Sequence, residues 1–350
     1  MKWLGLFISI CFFIFACVSE YEPSSIEIRL SRSVKILDDF GEEESITDAN
    51  VFIECDQGFT FEPVSVSEEG VYILKVDKLE PAYKYRLSIN WNDKEYKSEY
   101  LSPLDTPAID SISVESPASE KPVYICVTTH DNELEPTYYK WSYREIWEFN
   151  ADLFANAGYL NDKFYMFERH TSQNTYYCWG RDSSKVMLLA TTDKLTENLI
   201  YEKELIEIPR DHDKLKILYY IEVQQNRIRK EAYEYFKNIQ RNIEQTGSIF
   251  SPIPTEVRGN IVCVSDPKEW VLGYVDVTST TIMKRFMPEL RDFYETSYDC
   301  AKNILTGMAP DGYTYYIYSG APTVPNRYAP FRCVDCTCLL YTSDAADEAR

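Results

Sequence analysis

The stretch that decides the fold class is "YYKWSYREIWEF", residues 138–149. Apolar and polar side chains alternate along it. One face carries the aromatic residues Tyr139, Trp141, Tyr143, Trp147 and Phe149, and the other carries Lys140, Ser142, Arg144 and Glu148. A period of two is typical of a half-buried strand, and aromatic residues favour such surfaces. The stretch therefore predicts a long strand in a mainly β protein.

The aromatic face of this stretch has two interpretations. Spaced aromatic rings stack on sugar rings or planar ligands, which makes a candidate binding face of Tyr139, Trp141, Tyr143 and Trp147. The alternative is that these rings fill the core of a sandwich, where burying each one stabilises the fold by roughly 1.5–3 kcal/mol. The core interpretation is favoured, because strand faces with this many aromatic residues are usually core.

Short strands precede this stretch between residues 25 and 102. Residues 26–31 ("IEIRLS") and 84–91 ("KYRLSINW") alternate with a period of two. Asn92-Asp93 then turns the chain into a second alternating run, which predicts a hairpin. No helical period interrupts the region, so it is predicted to be a small immunoglobulin-like β-sandwich.

A linker is predicted at residues 103–122, where four prolines and several serines favour extended, weakly packed chain. The larger domain that follows, residues 123–337, is predicted to be β-rich with one amphipathic helix over residues 228–244. An apolar stripe at helical spacing supports this helix: Ile228, Ala232, Tyr235, Phe236, Ile239 and Ile243. The predicted fold is thus an N-terminal sandwich followed by a larger β-rich domain.

The N-terminus has the build of a secretory signal peptide. Lys2 precedes an apolar segment, residues 3–16, that is shorter than the roughly 20 residues a membrane-spanning helix needs. Residues 14–17 ("IFAC") resemble a bacterial lipobox, whose cysteine is acylated. We expect residues 1–16 to be a lipoprotein signal peptide, Cys17 to carry lipid, and residues 17–24 to form a solvated tether. The alternative is ordinary cleavage near Ala16, with Cys17 a plain thiol.

The last stretch, residues 338–350 ("CLLYTSDAADEAR"), looks like the translation of a sequencing adapter. Segments of that kind do not belong to the natural protein. The alternative is a frayed acidic tail. The adapter interpretation predicts that the native C-terminus is missing and that Cys338 is not a native thiol.

Composition excludes some partners. The formal net charge is −20, and so acidic a chain repels nucleic-acid phosphates and anionic lipid headgroups. We therefore expect no nucleic-acid partner, and expect the lipid on Cys17 to be the link to the membrane.

The cysteines indicate disulfides. Besides Cys17, the mature chain holds Cys55, Cys126, Cys178, Cys263, Cys300, Cys333 and Cys336. An exported chain sits in an oxidising compartment, and an odd number leaves one thiol unpaired or its partner lost. Cys333 and Cys336 lack the second pair that a zinc knuckle needs. Structural disulfides near the C-terminus are therefore favoured, with Cys178, Cys263 and Cys300 as candidate partners.

The sequence contains no catalytic motif. The three histidines are not spaced as metal ligands on a helix, and no phosphate-binding glycine loop or nucleophile elbow occurs. Asp211-His212-Asp213 and the acidic residues at 38–44 are interpreted as solvated charge. We therefore expect no enzyme activity, no cofactor and no metal. A hydrolase would require Glu145 and Asp211 to converge in a pocket.

The region Glu231 to Val275 resembles the hallmark region of a Bacteroidota lipoprotein family, domain of unknown function 4249 (DUF4249). Its "QTGSIFSPIP" followed by "GNI" is the most specific part. "YYKWSYREIWEF", "CWGRDSS" from Cys178, "PAIDSISVE" and the terminal "CVDC" agree with it. The resemblance implies an outer-membrane lipoprotein, often encoded beside a TonB-dependent transporter. It transfers the acylated cysteine, onto Cys17, and no catalytic residue.

The expected function follows from the anchor and the resemblance. We expect a non-enzymatic, lipid-anchored protein that faces outward from the outer membrane. It would serve a TonB-dependent transporter as an accessory or as a ligand-capture partner, for a ligand that the sequence does not identify. The alternative is a free-standing surface adhesin or glycan-binding lipoprotein.

Overall fold

The prediction of a mainly β fold is confirmed. In the computed structural model 49% of the chain is strand and 12% is helical. The structure describes residues 9–13, 24–32, 44–76, 79–155, 157–160, 163–166, 176–245, 257–296, 300–306, 315–317 and 327–336. Cys17 and residues 337–350 lie outside these ranges, so the predicted lipidation and the adapter-like tail stay predictions.

The strands of the first half are β1 (Ser9–Phe13), β2 (Ser24–Arg29), β3 (Ser31–Arg32), β4 (Glu44–Ser45), β5 (Asn50–Cys55), β6 (Thr60–Phe61), β7 (Pro63–Val66), β8 (Val71–Val76), β9 (Tyr85–Trp91), β10 (Lys94–Ser98), β11 (Ile109–Glu115), β12 (Val123–His130) and β13 (Tyr138–Asn150). Those of the second half are β14 (Ala157–Leu160), β15 (Lys163–Met166), β16 (Tyr177–Ser183), β17 (Leu188–Thr191), β18 (Leu199–Ile208), β19 (Leu218–Ile228), β20 (Ile261–Cys263), β21 (Leu272–Gly273), β22 (Thr280–Phe286), β23 (Leu305–Thr306), β24 (Tyr315–Ile317) and β25 (Arg327–Ala329). The helices are α1 (Lys230–Gln245), α2 (Phe331–Val334) and the 3-10 turns Asp213–Leu215, Pro288–Phe293 and Cys300–Asn303.

The N-terminal module is a sandwich of two five-stranded sheets. Their orders are β21-β1-β2-β8-β7 and β20-β10-β9-β5-β6. Both sheets supply one core: Ile28 and Leu74 come from the first, and Val51, Leu87 and Tyr96 from the second, all at most 1% exposed. Alternation puts these side chains inward, since neighbouring residues of a strand point to opposite faces.

The N-terminal module is discontinuous in sequence, and this corrects the predicted boundaries of 25–102 and 123–337. Strand β20 pairs antiparallel with β10, and Ile261, Cys263, Val271, Val275 and Val277 are buried in the same core as Ile28. The chain therefore returns to the first sandwich after helix α1. Sequence alternation identifies strands but does not assign a late strand to an early sheet.

The predicted linker at residues 103–122 is also corrected, because it contains strand β11, which pairs along its length with β12. The prolines bound this strand and do not loosen it: Pro107 precedes it and Pro117 follows it. Before the strand, the backbone N–H of Leu104 donates to the Val277 carbonyl at 2.9 Å. The segment is thus packed against both modules.

The second module is a sandwich of the sheets β11-β12-β18 and β16-β13-β19-β22, with β17 also paired to β13. Val123, Ile125 and Val127 from the first sheet share a core with the inner residues of β13 and β19. Strand β13 is the centre of this module, because it pairs with β16, β17 and β19. We call the five-stranded sheet that contains it the central sheet.

Helix α1 begins two residues later than predicted, at Lys230, because Ile228 ends strand β19. Ala232, Tyr235 and their neighbours Phe236 and Ile239 form a cluster with Tyr274. The amphipathic stripe is thus confirmed as far as Ile239, whereas Ile243 is 66% exposed.

Two disulfides involve the C-terminal residues, and one of them, from Cys178 on β16, ties these residues to the second module. Cys178 pairs with Cys336 and Cys300 with Cys333. The fifth candidate, Cys263, is a free thiol buried in the N-terminal core, which corrects its prediction as a disulfide partner. Its strand places it in a different module from the other four.

Within the predicted signal peptide, residues Ser9–Phe13 form β1, antiparallel to β2 and parallel to β21. Cleavage before Cys17 would remove this strand from the mature protein. Strand β2 would then be an edge of its sheet.

Replacing Cys178 and Cys336 by alanine is expected to lower the free energy of unfolding by about 2–4 kcal/mol, since the cross-link restricts the unfolded chain. The disulfide between Cys300 and Cys333 spans 33 residues, against 158 for the first. Replacing both of its cysteines by alanine is therefore expected to lower the free energy of unfolding by about 1 kcal/mol less. Urea unfolding with and without reductant measures both. Equal stability of the wild type under the two conditions would contradict the disulfide assignment.

Candidate binding face of the central sheet

The aromatic residues of the predicted binding face lie inside the second module. Tyr139, Trp141 and Trp147 are 0%, 1% and 7% exposed, and Tyr143 is half-buried. Burial raises the pKa of Tyr143 to about 12. The Trp141 indole N–H donates to Gln225 Oε1 at 2.8 Å, which satisfies its one donor within the core. The prediction of a binding face on these residues is therefore wrong, and the core interpretation holds.

The opposite face of the same sheet exposes a different apolar set. Ile146 on β13 pairs with Arg181 on β16 and with Tyr220 on β19, and Tyr220 pairs with Phe286 on β22. Directly paired residues share a face of the sheet. Trp179 is two residues before Arg181 and so points to the same side. We call Trp179, Ile146, Tyr220 and Phe286 the outer stripe.

The outer stripe is accessible to solvent. Trp179 is 59% exposed, Ile146 44% and Phe286 63%, while Tyr220 is half-buried. The Tyr220 and Phe286 rings lie 4.8 Å apart between centroids. Large apolar side chains exposed together on one face are a feature of interaction sites.

Gly180 explains how β16 presents Trp179. A Cβ at this position would lie 2.2 Å from Trp147 Cε2, so the inner indole requires glycine here. Cys178, on the same inward side, is held by its disulfide to Cys336. The inward residues therefore fix the strand, and the alternation leaves Trp179 and Arg181 outside.

Charged side chains border the outer stripe. Arg144, two residues before Ile146, lies opposite Glu222, which in turn lies opposite Lys284. Arg144 Nη2 is 3.9 Å and Lys284 Nζ is 3.4 Å from the Glu222 carboxylate. Both cations are largely exposed, at 69% and 62% of their side chains. The exposed Arg181 and the half-buried Glu148, which pairs directly with Trp179, add one charge of each sign, so the border of the stripe is mixed in charge.

Helix α1 covers the other end of this face. Tyr138, at the start of β13, belongs to the helix cluster, and Lys140 Nζ lies 4.5 Å from the centroid of the Phe236 ring. The exposed part of the outer face is therefore the half that begins near Arg144. Sequence reasoning missed this site because its residues come from four strands, and only the pairing register brings them together.

A buried polar cluster lies beneath the opposite side of β13. Glu145, 1% exposed, accepts from Lys214 Nζ at 2.5 Å and from the Tyr219 hydroxyl. The Lys214 ammonium lies 4.9 Å from the Trp147 ring centroid. Burial and the Glu145 carboxylate raise the pKa of Tyr219 well above its usual value. The cluster attaches the loop at residues 211–216 to the sheet.

The predicted charged loop Asp211-His212-Asp213 is exposed to solvent at Asp211 and His212, as expected, and its histidine also contacts this cluster. His212 Nδ1 accepts from the Lys214 backbone N–H at 3.1 Å and its ring lies edge-on to Trp147. Both oxygens of Glu145 are engaged, by Lys214 and Tyr219, so this carboxylate holds the loop in place. Among residues that the structure describes, no three His, Cys, Asp or Glu side chains are grouped to hold a metal ion. The acidic residues at 38–43 lie outside those residues.

An open cleft of about 580 Å³ lies on the N-terminal sandwich. Arg86, Lys97, Glu99 and Val262 are among its lining residues. Its cations are already engaged, since Arg86 pairs with Glu54 and Lys97 with Glu95. The outer stripe is therefore the stronger candidate for a binding site.

The geometry defines a class of protein: mainly β, with two sandwiches and one sheet face that leaves aromatic side chains exposed. The chain belongs to the family described as "Domain of unknown function (DUF4249)", whose family model matches residues 16–283. No curated protein matches the chain. Over the residues described, no helix is long and apolar enough to cross a membrane.

Trp141→Ala and Trp179→Ala are expected to differ in stability, since one ring is core and the other is surface. Trp141→Ala should lower the free energy of unfolding by about 3–5 kcal/mol. Trp179→Ala should stay within about 0.5 kcal/mol of the wild type. Chemical unfolding followed by circular dichroism measures both. Equal losses in the two variants would contradict the assigned faces.

Stability is expected to fall as the pH is lowered from 7.5 to 5.5, in part through His212. Partial desolvation of the ring, and next Lys214, lower the pKa of this histidine in the folded protein, and since its side chain stays accessible to solvent the effect on stability is small. The unfolded chain therefore takes up the proton first as the pH passes below the usual histidine pKa of about 6.5. His212→Asn, which keeps a side-chain acceptor for the cap, should make the pH dependence shallower. An unchanged slope of unfolding free energy against pH would rule out this contribution.

Proposed function

We propose that the protein is a non-enzymatic lipoprotein of the Bacteroidota outer membrane, anchored through an acylated Cys17 and facing outward. It serves a TonB-dependent transporter as an accessory or ligand-capture partner. The outer stripe is its contact surface. The observation that carries the proposal is the exposure of Trp179, Ile146 and Phe286 together on one face of the central sheet.

The stripe has the properties of a preformed contact surface. Its side chains are held on strands, and strand β13 is paired on both sides. A rigid surface loses little conformational freedom on binding, so more of the contact energy appears as affinity. Aromatic side chains also dominate the energetics of many interfaces.

The position of the lipobox and the contacts of the buried Glu145 both fit this role. The lipobox precedes the first module in sequence, so an acylated Cys17 would tether that module to the membrane. The buried Glu145 is engaged by Lys214 and Tyr219, which supports a holding role for it in preference to proton transfer. Both points favour binding over catalysis.

Co-purification from native membranes in mild detergent tests the transporter proposal. The tagged wild type is expected to recover a TonB-dependent transporter, and the Trp179→Ala/Phe286→Ala variant is expected to recover several-fold less. Tyr201→Ala is the matched control, since this 68% exposed aromatic lies on β18, outside the central sheet. Cys17→Ala should release the protein from the membrane fraction.

Recovery of no transporter with the wild type would contradict the partnership. Membrane retention of the Cys17→Ala variant would contradict the anchor. Equal recovery with the stripe variant and the wild type would show that the transporter binds elsewhere.

A second candidate function is that of a free-standing adhesin or glycan-binding lipoprotein. The exposed rings of Trp179 and Phe286 favour it, because aromatic rings stack on sugar rings. Binding of ligand by the purified protein without transporter, together with no transporter in the co-purification, would select this candidate.

A further inference from the structure

We propose that the processed protein binds an extended segment of its partner transporter by strand addition, in the position that strand β1 occupies in the full chain. This rests on the proposed function, because it requires cleavage before Cys17 and a transporter as the partner. The ligand is a peptide in the β conformation. Backbone hydrogen bonds hold such a ligand, and the side chains on its two faces give specificity.

The position that β1 leaves has a strand on each side. Cys11, Phe12 and Phe13 pair antiparallel with β2, and Ser9 and Ile10 pair parallel with β21. Cleavage before Cys17 removes these partners from both strands. Unpaired backbone N–H and C=O groups at the edge of a sheet are a template for another strand. We call the space between β2 and β21 the vacated position.

Strand β21 is held in place by contacts that do not involve β1. Asn260 Nδ2 donates to the Val275 carbonyl at 2.7 Å, and Asn260 Oδ1 accepts from the Val275 N–H at 2.8 Å. Gly259 packs so closely on β21 that a Cβ there would collide with the Gly273 carbonyl. Val271 and Val275 are buried in the N-terminal core on either side of β21. The vacated position therefore stays open after cleavage.

Strand β2 lacks the protection that the other edges of the N-terminal sandwich have. β6 and β20 are two and three residues long, and β7 begins with Pro63 and shifts its register against β8. Short strands, prolines and bulges are common ways to protect a sheet edge. β2 has six residues and no proline, and it pairs with β8 without a register shift. It is therefore suited to accept an added strand.

The residues of β2 define the sequence pattern of the ligand. Ile28 is 0% exposed, whereas Glu27 and Arg29 are exposed. Directly opposite residues share a face of the sheet, and opposite charges stabilise such a pair. The favoured ligand therefore has an acidic residue opposite Arg29, an apolar residue opposite Ile28 and a basic residue opposite Glu27. Because the ligand runs antiparallel to β2 as β1 does, its sequence reads acidic, apolar, basic.

The other charges near β2 leave these two side chains available. Within the described ranges no salt bridge involves Glu27 or Arg29. Lys75 lies diagonally from Glu27, because Ile73 pairs with Glu27, and such diagonal neighbours are roughly 7–8 Å apart. Glu69, in the turn before β8, is attracted by Arg29 without forming an ion pair with it. The local charges are thus mixed, and the order of signs along β2 sets the preference for a ligand.

The tether favours a membrane protein as the source of the added strand. β2 begins at Ser24, seven residues after Cys17. Seven residues of extended chain span at most roughly 25 Å. The vacated position is therefore close to the membrane surface, within reach of an exposed segment of an integral membrane protein. Pairing in the register of β1 would place Cys17 opposite Pro23, before the start of β2, so in that register the tether does not cover Glu27 to Arg29.

Fluorescence anisotropy with the mature chain tests the ligand pattern. The probe is a short synthetic peptide with a central valine, glutamate before it and lysine after it, and the control peptide exchanges the two charges. We expect the probe to bind, and the control peptide to bind roughly threefold to tenfold more weakly, the factor for two cross-strand charge pairs. The Glu27→Arg/Arg29→Glu variant should reverse this preference. Because both residues are exposed, the variant should keep the stability of the wild type.

Co-purification from native membranes tests the source of the strand. The Glu27→Arg/Arg29→Glu variant is expected to recover several-fold less transporter than the wild type, although its outer stripe is intact. Lys194→Glu/Glu197→Lys is the matched control, because it exchanges an exposed base and an exposed acid in the loop between β17 and β18. This control should recover as much transporter as the wild type.

The strand-addition proposal is overturned if the probe does not bind at millimolar concentration or if the Glu27→Arg/Arg29→Glu variant does not reverse the preference. An intact mass showing that the mature protein retains residues 9–13 would also overturn it. Equal transporter recovery by this variant and the wild type would reject the added strand and keep the proposed function. Recovery of no transporter by the wild type would reject the proposed function, and with it the transporter as the source of the strand.

Discussion

The arrangement of this protein depends on the pairing register of strand β13. The strand pairs with β16 and β17 on one side and β19 on the other, and its alternation separates two sets of residues. Trp141 and Trp147 point into the core, and Ile146 points out beside Arg181 and Tyr220. A slip of one residue would exchange the two faces, burying charge and exposing the core rings. Because that exchange would destabilise the fold, the register is fixed. The register in turn places the side chains of the outer stripe on one exposed face.

A second constraint is the return of the chain to the N-terminal sandwich. Arg229, at the junction of β19 and α1, donates from its backbone N–H to Asp276 at 2.8 Å, and its guanidinium contacts Asp276 and the Ser102 carbonyl. The Thr106 hydroxyl lies 3.1 Å from that of Thr278. Three distant parts of the chain thus meet between the two modules. The contacts support a fixed relation between the N-terminal module and the central sheet.

Sequence predicted the fold class and the strands with clear alternation, such as β2, β9 and β13, because alternation is a local signal that burial reinforces. The helix was predicted from its apolar stripe, which is also a local signal. Its start was placed two residues too early, at Ile228, because an apolar residue suits the end of a strand as well as a helix. The return of β20 to the first sandwich could not be predicted, because a strand of three residues does not show from its sequence which strand it pairs with. The interpretation of the aromatic face of β13 as core is confirmed by the burial of its rings. The exposed outer stripe was missed because Trp179, Ile146 and Phe286 are distant in sequence and come onto one face only through the register.

The most direct test of this account is the solvent accessibility of individual tryptophans in the native mature protein, read by hydroxyl-radical footprinting and mass spectrometry. The account predicts rapid oxidation of Trp179 and strong protection of Trp141 and Trp147, which are 59%, 1% and 7% exposed. Rapid oxidation of Trp141 or Trp147 in the folded protein, or protection of Trp179 in the isolated chain, would contradict the register of β13 and the binding face that follows from it.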